Sequence, residues 1–281
     1  MKIKFWGVRG SVAVSGSHVA WIGGNTACLE VVSEGQRLIL DAGTGIRGLG
    51  EAMMKEPRPL KASLLFSHLH WDHVQGFPFF SPAFVPGNEL VLYGPGAQGE
   101  QELYRALDKQ MQAPSFPVTL QAMRSTMRFA SAQPGQKLDI GPFAVTPFEL
   151  PHPQGCNGYR IDAGGKSFVY ATDVEISLES ISPAVARSLE GADVLCLDAQ
   201  YTPDEYAGRG GISKKGWGHS TMVDAARIAR AVGAKRLYLF HHDPAHTDDQ
   251  VEQMAIAARD TFDDAEPARE GVSLSLAGMG A

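Results

Sequence analysis

The stretch Ser67-His68-Leu69-His70-Trp71-Asp72-His73 constrains this chain more than any other, because it sets three imidazoles and a carboxylate within six residues. It follows the apolar run Ala62-Ser63-Leu64-Leu65-Phe66, whose length and composition suit a buried strand, and precedes Gln75-Gly76-Phe77-Pro78, which ends the extended segment. In extended chain the side-chain period is two, so His68, His70 and Asp72 project to one side, and a turn near Asp72 brings His73 back to join them. Unpaired imidazoles at that density repel one another unless a cation holds them, so the stretch reads as a metal-binding loop at a strand end rather than a solvated cap.

Similar strand ends recur downstream. Phe143 to Glu149 leads to Pro151-His152-Pro153, Ser167 to Tyr170 leads to Ala171-Thr172-Asp173, and Arg236 to Phe240 leads to His241-His242-Asp243-Pro244. Taken singly, His152 fits a structural histidine and Asp173 a helix cap as well as a ligand. Asp41, ahead of Ala42-Gly43-Thr44-Gly45, suits a turn residue and equally an acceptor that fixes the tautomer of a ligand histidine.

The remaining pattern is α/β. Strands are expected at Lys2 to Trp6, Ala27 to Ser33 and Arg37 to Asp41, the last two joined as a hairpin through Glu34-Gly35-Gln36, with a helix from Ile46 to Lys55 stopped by Pro57 and Pro59. A strand from Glu89 to Tyr93, broken at Gly94-Pro95-Gly96, precedes a polar helix from Gln98 to Met111. The segment Gln112 to Val118 is rich in proline and apolar residues, fitting either a flap over a site or an insertion packed on the body. Further on come a hairpin of strands, Gly158 to Asp162 and Ser167 to Tyr170, a strand from Asp193 to Leu197, and a Gly- and Lys-rich loop from Gly208 to Gly218. A helix from Ser220 to Val232, a helix from Thr247 to Phe262 and a strand from Gly271 to Ala277 complete the chain.

Composition narrows the function. The 281 residues suit one domain, 1–281, with an insertion at about 95–140. Lys plus Arg number 25 against 31 Asp plus Glu, a formal net charge of −6, which leaves no excess positive charge to grip a long nucleic acid. Cys28, Cys156 and Cys196 lie far apart, which argues against a disulfide framework or cysteine zinc knuckle and for a reducing, cytoplasmic setting. No run approaches the roughly 20 apolar residues of a membrane span, and the N-terminus lacks a signal-peptide core.

Taken together and in order, His68, His70, Asp72, His73, His152, Asp173 and His241 resemble the ligand series of the metallo-β-lactamase superfamily, in particular its phosphodiesterase branch, which contains RNase Z and the phosphoribosyl cyclic phosphate phosphodiesterase. The resemblance implies a four-layer αββα sandwich with a dinuclear site at one edge. It implies that His68, His70 and His152 hold one metal, that Asp72, His73 and His241 hold the second, and that Asp173 bridges them. His242 competes with His241, which is preferred for its place three residues before Pro244. The donor set favours two Zn²⁺ ions, with Mn²⁺ or Fe²⁺ able to use the same atoms.

The resemblance further implies that Asp198 and His219, the latter in Gly218-His219-Ser220-Thr221, form a carboxylate–imidazole pair that protonates the leaving oxygen. Asp72, His219 and Asp198 are the candidate catalytic residues, although His219 could instead cap the helix at Ser220. The expected reaction is hydrolysis of a small, cyclic or linear phosphodiester of a nucleotide or sugar, with metal-bound hydroxide as nucleophile. The alternatives are another ester class (lactone, thioester or β-lactam), a tRNA-processing nuclease, and a non-catalytic metal module. The chain lacks the basic arm with which the RNase Z branch grips tRNA and the cysteine-built zinc site of the phosphonate-pathway enzyme. Expected partners are therefore a small anionic diester and no long nucleic acid or membrane, and a homodimer is compatible with this reading. Arg9, Lys214 and Lys215 are candidate phosphate contacts or ordinary pinning and solvated cations; His18 and His246 receive no role.

Overall fold

The computed structural model describes residues 1–276; the end of the expected last strand, at Ala277, lies outside them. The first half contains β1 (Lys2–Gly7), β2 (Cys28–Ser33), β3 (Gln36–Leu40), α1 (Ile46–Met53), β4 (Lys61–Leu65), α2 (Trp71–Val74), β5 (Glu89–Pro95), α3 (Gly99–Gln110) and β6 (Thr126–Ala132). The second contains β7 (Leu138–Ile140), β8 (Phe143–Leu150), β9 (Cys156–Ala163), β10 (Lys166–Ala171), α4 (Pro183–Leu189), β11 (Val194–Asp198), α5 (Pro203–Ala207), α6 (Met222–Ala231), β12 (Leu237–Phe240), α7 (Asp248–Arg259), β13 (Ala265–Pro267) and β14 (Ser273–Ser275).

Two mixed seven-stranded sheets result, in the orders β14-β1-β2-β3-β4-β5-β6 and β13-β12-β11-β10-β9-β8-β7. In the first, β14 to β3 pair antiparallel and β3 to β6 parallel; in the second, β7 to β10 pair antiparallel and β10 to β13 parallel. The expected hairpin is present: Ser33 pairs with Gln36 across Glu34 and Gly35, both at positive φ as a tight two-residue connection requires.

Three apolar clusters make the layers. One lies between the sheets, where Phe5, Leu29, Val31 and Leu40 meet Val145, Ile161, Phe168, Tyr170 and Phe240. A second buries the outer face of the second sheet under α4, α6 and α7, through Val185, Leu189, Ala225, Ile228 and Met254. The third buries the outer face of the first sheet under α1 and α3, through Ile46, Leu49, Met53, Leu103 and Leu107. Strands in the middle of such a stack are apolar on both faces, which is why β11 and β12 are buried throughout and read as continuous apolar runs. The order of layers is helix, sheet, sheet, helix.

Several boundaries differ from expectation for local reasons. β5 continues through Gly94 and Pro95, which pair in parallel with Ser131 and Ala132, and the break falls at Gly96, at positive φ. β6, β7, β13, α4 and α5 lie outside the elements expected from the sequence. β6 carries Ser, Thr and Arg because it is a half-exposed edge, and α4 and α5 have only 7 and 5 residues, too short to establish a helical period. The segment from Gln112 to Val118 packs Phe116 edge-on against Phe79 at 5.7 Å.

Arg9 does not face a phosphate site. It is fully buried, and its guanidinium donates to the carbonyls of Gly23, Asp243 and His246, tying the first loop to the segment after β12. His242, beside it, is also enclosed and bonds through Nε2 to the Ala268 carbonyl at 2.9 Å. Burial pushes its pKa down to about 3, helped by the charge of Arg9. A histidine held neutral in the fold but free to protonate when unfolded contributes stability that is complete above about pH 6.5 and is lost as pH falls towards 3, on the order of 5 kcal/mol at full extent. His242→Gln, which keeps an N–H for Ala268, is expected to flatten the fall in urea midpoint between pH 6.5 and 4; an unchanged slope would remove His242 from acid lability.

Candidate metal centre and proton-donor pair

Every candidate metal ligand, together with Asp41 and Asp198, leaves the carboxyl end of a strand on the same edge of the sandwich, whereas His219 comes from the loop between α5 and α6. Asp41 follows β3, the His68–His73 stretch follows β4, His152 follows β8, Asp173 follows β10, Asp198 ends β11 and His241 follows β12. The parallel pairing of β3 with β4 and of β10 with β11 and β12 makes those ends coincide. Three of these residues, Asp41, Asp173 and His241, have φ of 60°, 53° and 62°. This left-handed conformation is uncommon outside glycine and costs roughly 1–3 kcal/mol at such positions, so the packing here enforces three abrupt reversals that turn the side chains back over the sheet edge. Gly10 passes so close to the His241 ring that an added Cβ would overlap it.

Two groups of donor atoms converge around Asp173, and Asp198, His219 and His241 make a third beside them. His68, His70, His152 and Asp173 form one; Asp72, His73, Asp173 and His241 form the other, and within each group the candidate atoms all lie within 4.8 Å of one another. Asp173 belongs to both: its Oδ1 lies 3.6 Å from His68 Nε2 and 3.8 Å from His152 Nε2, and its Oδ2 lies 3.1 Å from His73 Nε2 and 3.3 Å from His241 Nε2. Asp72 Oδ2 stands 3.4 Å from His73 Nε2 and 3.3 Å from His241 Nε2, and also accepts the Ser11 N–H at 2.7 Å.

The outward nitrogens decide what these groups can hold. His73 Nδ1 faces Asp41 Oδ2 at 2.8 Å, His241 Nδ1 faces Gln200 Oε1 at 3.0 Å, His152 Nδ1 faces the Gly218 carbonyl at 2.9 Å, and His70 Nε2 faces Gln154 Oε1 at 3.2 Å. His68 Nδ1 lies 3.1 Å from Ser67 Oγ, whose own proton goes to Asp41. Each outward nitrogen therefore carries a proton, assigned from its acceptor, and each inward nitrogen presents a lone pair. Among the described residues the inward Nε2 atoms of His68 and His73 are buried without a hydrogen-bond partner, and His70 Nδ1 and His152 Nε2 face each other at 3.2 Å. Five lone pairs and two carboxylates pointed at one another fit divalent cations.

The electrostatics divide the histidines: although burial would lower it, Asp173, Asp72 and Asp41 raise His73 well above the usual histidine range. Burial, reinforced by the neighbouring His73, pushes His68 well below the usual histidine range, and burial lowers His152. Burial alone would raise the Asp72 and Asp173 carboxyls, but His73 and His241 hold both below the ordinary carboxylate range.

Asp41, undecided between two roles in the sequence, is the anchor of the first loop. It accepts from the Ser67 N–H, the Ser67 hydroxyl and the Tyr170 hydroxyl in addition to His73. Asn tolerates the same backbone but would turn an NH₂ group towards these donors, so Asp41→Asn is expected to weaken metal binding about 10- to 100-fold. Zinc titration against a competing chelator measures this, and unchanged affinity would show that Asp41 serves the backbone alone.

Next to the second group, His219 Nδ1 lies 2.8 Å from Asp198 Oδ2, and its ring stacks on His241 at 4.8 Å. Burial would lower His219, but Asp198, with Asp173 and Asp72 behind it, raises it to about 9. The helix cap is supplied by Thr221, whose hydroxyl accepts from the Asp224 N–H, so the His219 side chain is not used for capping. Asp198 also accepts from the backbone N–H groups of Asp173 and Ser220. His242 faces Ala268 and His246 pairs with Glu205, which leaves His241 as the histidine of its pair that reaches the cluster. Sequence reasoning missed Gln200 and Gln154, the amides that orient His241 and His70, which carry no motif of their own.

Two concavities flank the cluster. One of about 650 Å³ is lined by His152, His219, Glu175, Lys215, Ser177 and Thr221; the other, of about 380 Å³, by His68, His70, Glu102, Glu149, Gln154 and Asn157. Lys214 lies over the Trp217 ring, 4.0 Å from its centroid, whereas Lys215 reaches the first concavity.

This architecture and donor set are those of a metallo-hydrolase, and the chain belongs to the β-lactamase superfamily: residues 36–242 match the family described as the Beta-lactamase superfamily domain. The fold is the metallo-β-lactamase fold, as the sequence resemblance implied. Among similar proteins, Ribonuclease BN of Cronobacter sakazakii is 25% identical, over 85% of this chain and 89% of the relative. The probable metallo-hydrolase YhfI of Bacillus subtilis is 26% identical, over 73% of this chain and 74% of its own length. Its crystal structure aligns with a TM-score of 0.72 at 21% identity, covering 97% of this chain and 98% of that one. A diphosphatase from the PhnP family aligns with a TM-score of 0.70 at 19% identity, covering 98% of each chain.

Proposed function

We propose that the protein is a dinuclear metal-dependent phosphodiesterase that hydrolyses a small, cyclic or linear, nucleotide or sugar phosphodiester. His68, His70 and His152 would hold one divalent cation, Asp72, His73 and His241 the other, with Asp173 shared; Zn²⁺ suits this set best, and Mn²⁺ or Fe²⁺ accept the same donors. Bound there, two such ions supply an activated water and offset the negative charge of a phosphate. The observation that carries the reading is the inward convergence of five imidazole lone pairs beside a separate imidazole that Asp198 keeps charged.

The chain's own groups divide the work. With Asp72 and Asp173 engaged, Asp198 is the carboxylate left to His219; it accepts from Nδ1 and leaves Nε2–H free to protonate a departing alkoxide. Asp72 is fixed by the Ser11 N–H and by His73 and His241, so it cannot swing towards solvent. The concavity holding His152 and His219 has the volume of a nucleotide-sized arm rather than of a folded RNA, and among the described residues Lys215 is its one lining lysine or arginine. Pro95, Gly96, Glu102 and Pro134 border the other concavity together with His68 and His70, which supports a flap role for the 95–140 segment. The three cysteines are free and buried, in keeping with a reducing, cytoplasmic setting, and among the described residues no helix is long and apolar enough to cross a membrane.

A panel of bis(p-nitrophenyl) phosphate, cyclic mono- and dinucleotides, a lactone, a thioester, a β-lactam and a precursor tRNA tests the reading. Turnover of small diesters that depends on added Zn²⁺ or Mn²⁺ and stops with chelator is expected. Activity confined to a carboxylic ester class would overturn it, and cleavage of the tRNA alone would move the protein to the nuclease reading that its RNase BN relative represents.

A further inference from the structure

Glu175 lies two residues beyond Asp173, half-buried and outside both donor groups, yet its carboxylate carries three hydrogen bonds. Oε1 accepts from the Tyr206 hydroxyl at 2.6 Å and the Gly216 N–H at 2.9 Å; Oε2 accepts from the Gly218 N–H at 2.8 Å. These partners lie at the two ends of the glycine- and lysine-rich loop, which in the described residues has no regular structure of its own between α5 and the bridge at Thr221. A loop of that length with several glycines has high conformational entropy, and an acceptor that gathers its ends removes much of it.

What the loop delivers makes this tether matter. The Gly218 carbonyl is the group that orients His152 Nδ1, and the next residue is His219. The Glu175 backbone N–H bonds back to the Pro151 carbonyl at 3.2 Å, immediately before His152. A closed circuit results: His152 to Gly218, Gly218 to Glu175, Glu175 to Pro151. Gly218 has φ of 90°, and a Cβ there would overlap the His152 ring and Pro153, so the approach is as close as a backbone allows. Ser220 fastens the same strip of chain a second time, donating to the Val174 carbonyl at 2.6 Å and accepting from the Ile176 N–H at 3.1 Å.

We propose that Glu175 is the positioning residue of this site: by holding the Gly216–Gly218 backbone it sets the tautomer and ring orientation of His152 and the placement of His219. The role rests on the dinuclear reading above and adds to it a residue outside both donor groups, in the wall of the concavity that holds His152 and His219. A glutamine can accept at only one of the two oxygens and turns an NH₂ group towards the remaining donors, so the circuit opens at Gly218 or at Gly216 and Tyr206.

Zinc titration of the full chain, wild type against Glu175→Gln and Glu175→Ala, tests this together with amide hydrogen exchange across residues 208–220. The exposed Glu179→Gln serves as control, since the Glu179 carboxylate accepts from Arg227 and its backbone N–H donates to Ser177 Oγ, away from the 208–220 segment. Wild type and control should bind two equivalents. In Glu175→Gln one equivalent should bind about 10- to 100-fold more weakly while the other is unchanged, and exchange at Gly216 and Gly218 should accelerate. Glu175→Ala should show both effects more strongly, with a melting temperature close to wild type in the metal-free form. Two equivalents of unchanged affinity in both variants would overturn the proposal, as would faster exchange with no change in zinc binding. Fewer than two equivalents in the wild type would instead remove the dinuclear reading, and this inference with it.

Discussion

His68→Ala is expected to yield a folded protein that retains at most one tightly held metal ion and has no measurable activity on any diester. His68 is buried, its Nε2 has no partner among the described residues, and it stands 3.6 Å from the shared carboxylate Asp173. Removing it takes one of three imidazoles from the first group and leaves His70, His152 and one oxygen of Asp173. A cation held at 1,000 times its dissociation constant stabilises the fold by about 4 kcal/mol, so most of one such increment disappears with the site. The difference in melting temperature between chelated and zinc-loaded protein should therefore shrink markedly. In the chelated state the variant should lie close to wild type, because converging lone pairs do not stabilise one another and their loss offsets part of the cavity left behind. Metal analysis and paired thermal scans read this out, and two metals at wild-type rates would end the assignment of His68 as a ligand.

His219→Ala should separate chemistry from metal binding. The side chain meets Asp198 and stacks on His241, but belongs to neither four-residue group around Asp173. Both metals should stay. On an alkyl or nucleoside diester, whose leaving oxygen departs as a strong base, kcat should fall about 10²- to 10⁴-fold, equivalent to about 3–5 kcal/mol of transition-state stabilisation. On bis(p-nitrophenyl) phosphate, whose leaving group scarcely needs a proton, the loss should stay within about tenfold. Equal losses on the two substrates, or loss of a metal, would take His219 out of proton donation. Asp198→Asn should follow the same substrate pattern more mildly, because the imidazole remains but loses the charge that keeps it protonated.

The donors were legible in the sequence because strand ends are. Short apolar runs that stop at His, Asp or His-x-His mark both the strand and the residue presented at its edge, and the order of these stops carried the family resemblance that the superfamily match supports. What supports the donors was not legible. Gln200, Gln154 and Ser67 matter only because particular carbonyls and hydroxyls fall opposite particular ring nitrogens once the sheets dock. Asp41 was balanced between a turn and a histidine partner, since Asp ahead of glycines suits either, and its four donors come from elements as distant as β10. Arg9 was readable as a phosphate contact because sequence holds no information on burial, and its enclosure by three carbonyls excludes that role. The edge strand β6 was hidden by its half-polar face, and α4 and α5 by their brevity.

The contributors to the site are spread along the chain from Asp41 to His241 and come from the ends of six strands, β3, β4, β8, β10, β11 and β12, and from the loop before α6. During synthesis from the N-terminus, the His-x-His-x-Asp-His loop emerges early and could capture a cation weakly, but Asp173 is placed only once β10 has formed. His241 arrives with β12, which lies between β11 and β13 and so completes the second sheet late. A nascent chain stalled before residue 241 would hold the first group complete and the second without His241. Tight retention of two ions therefore reports that translation and sheet assembly have both run almost to the end, which would make metal content a gauge of complete folding for this protein.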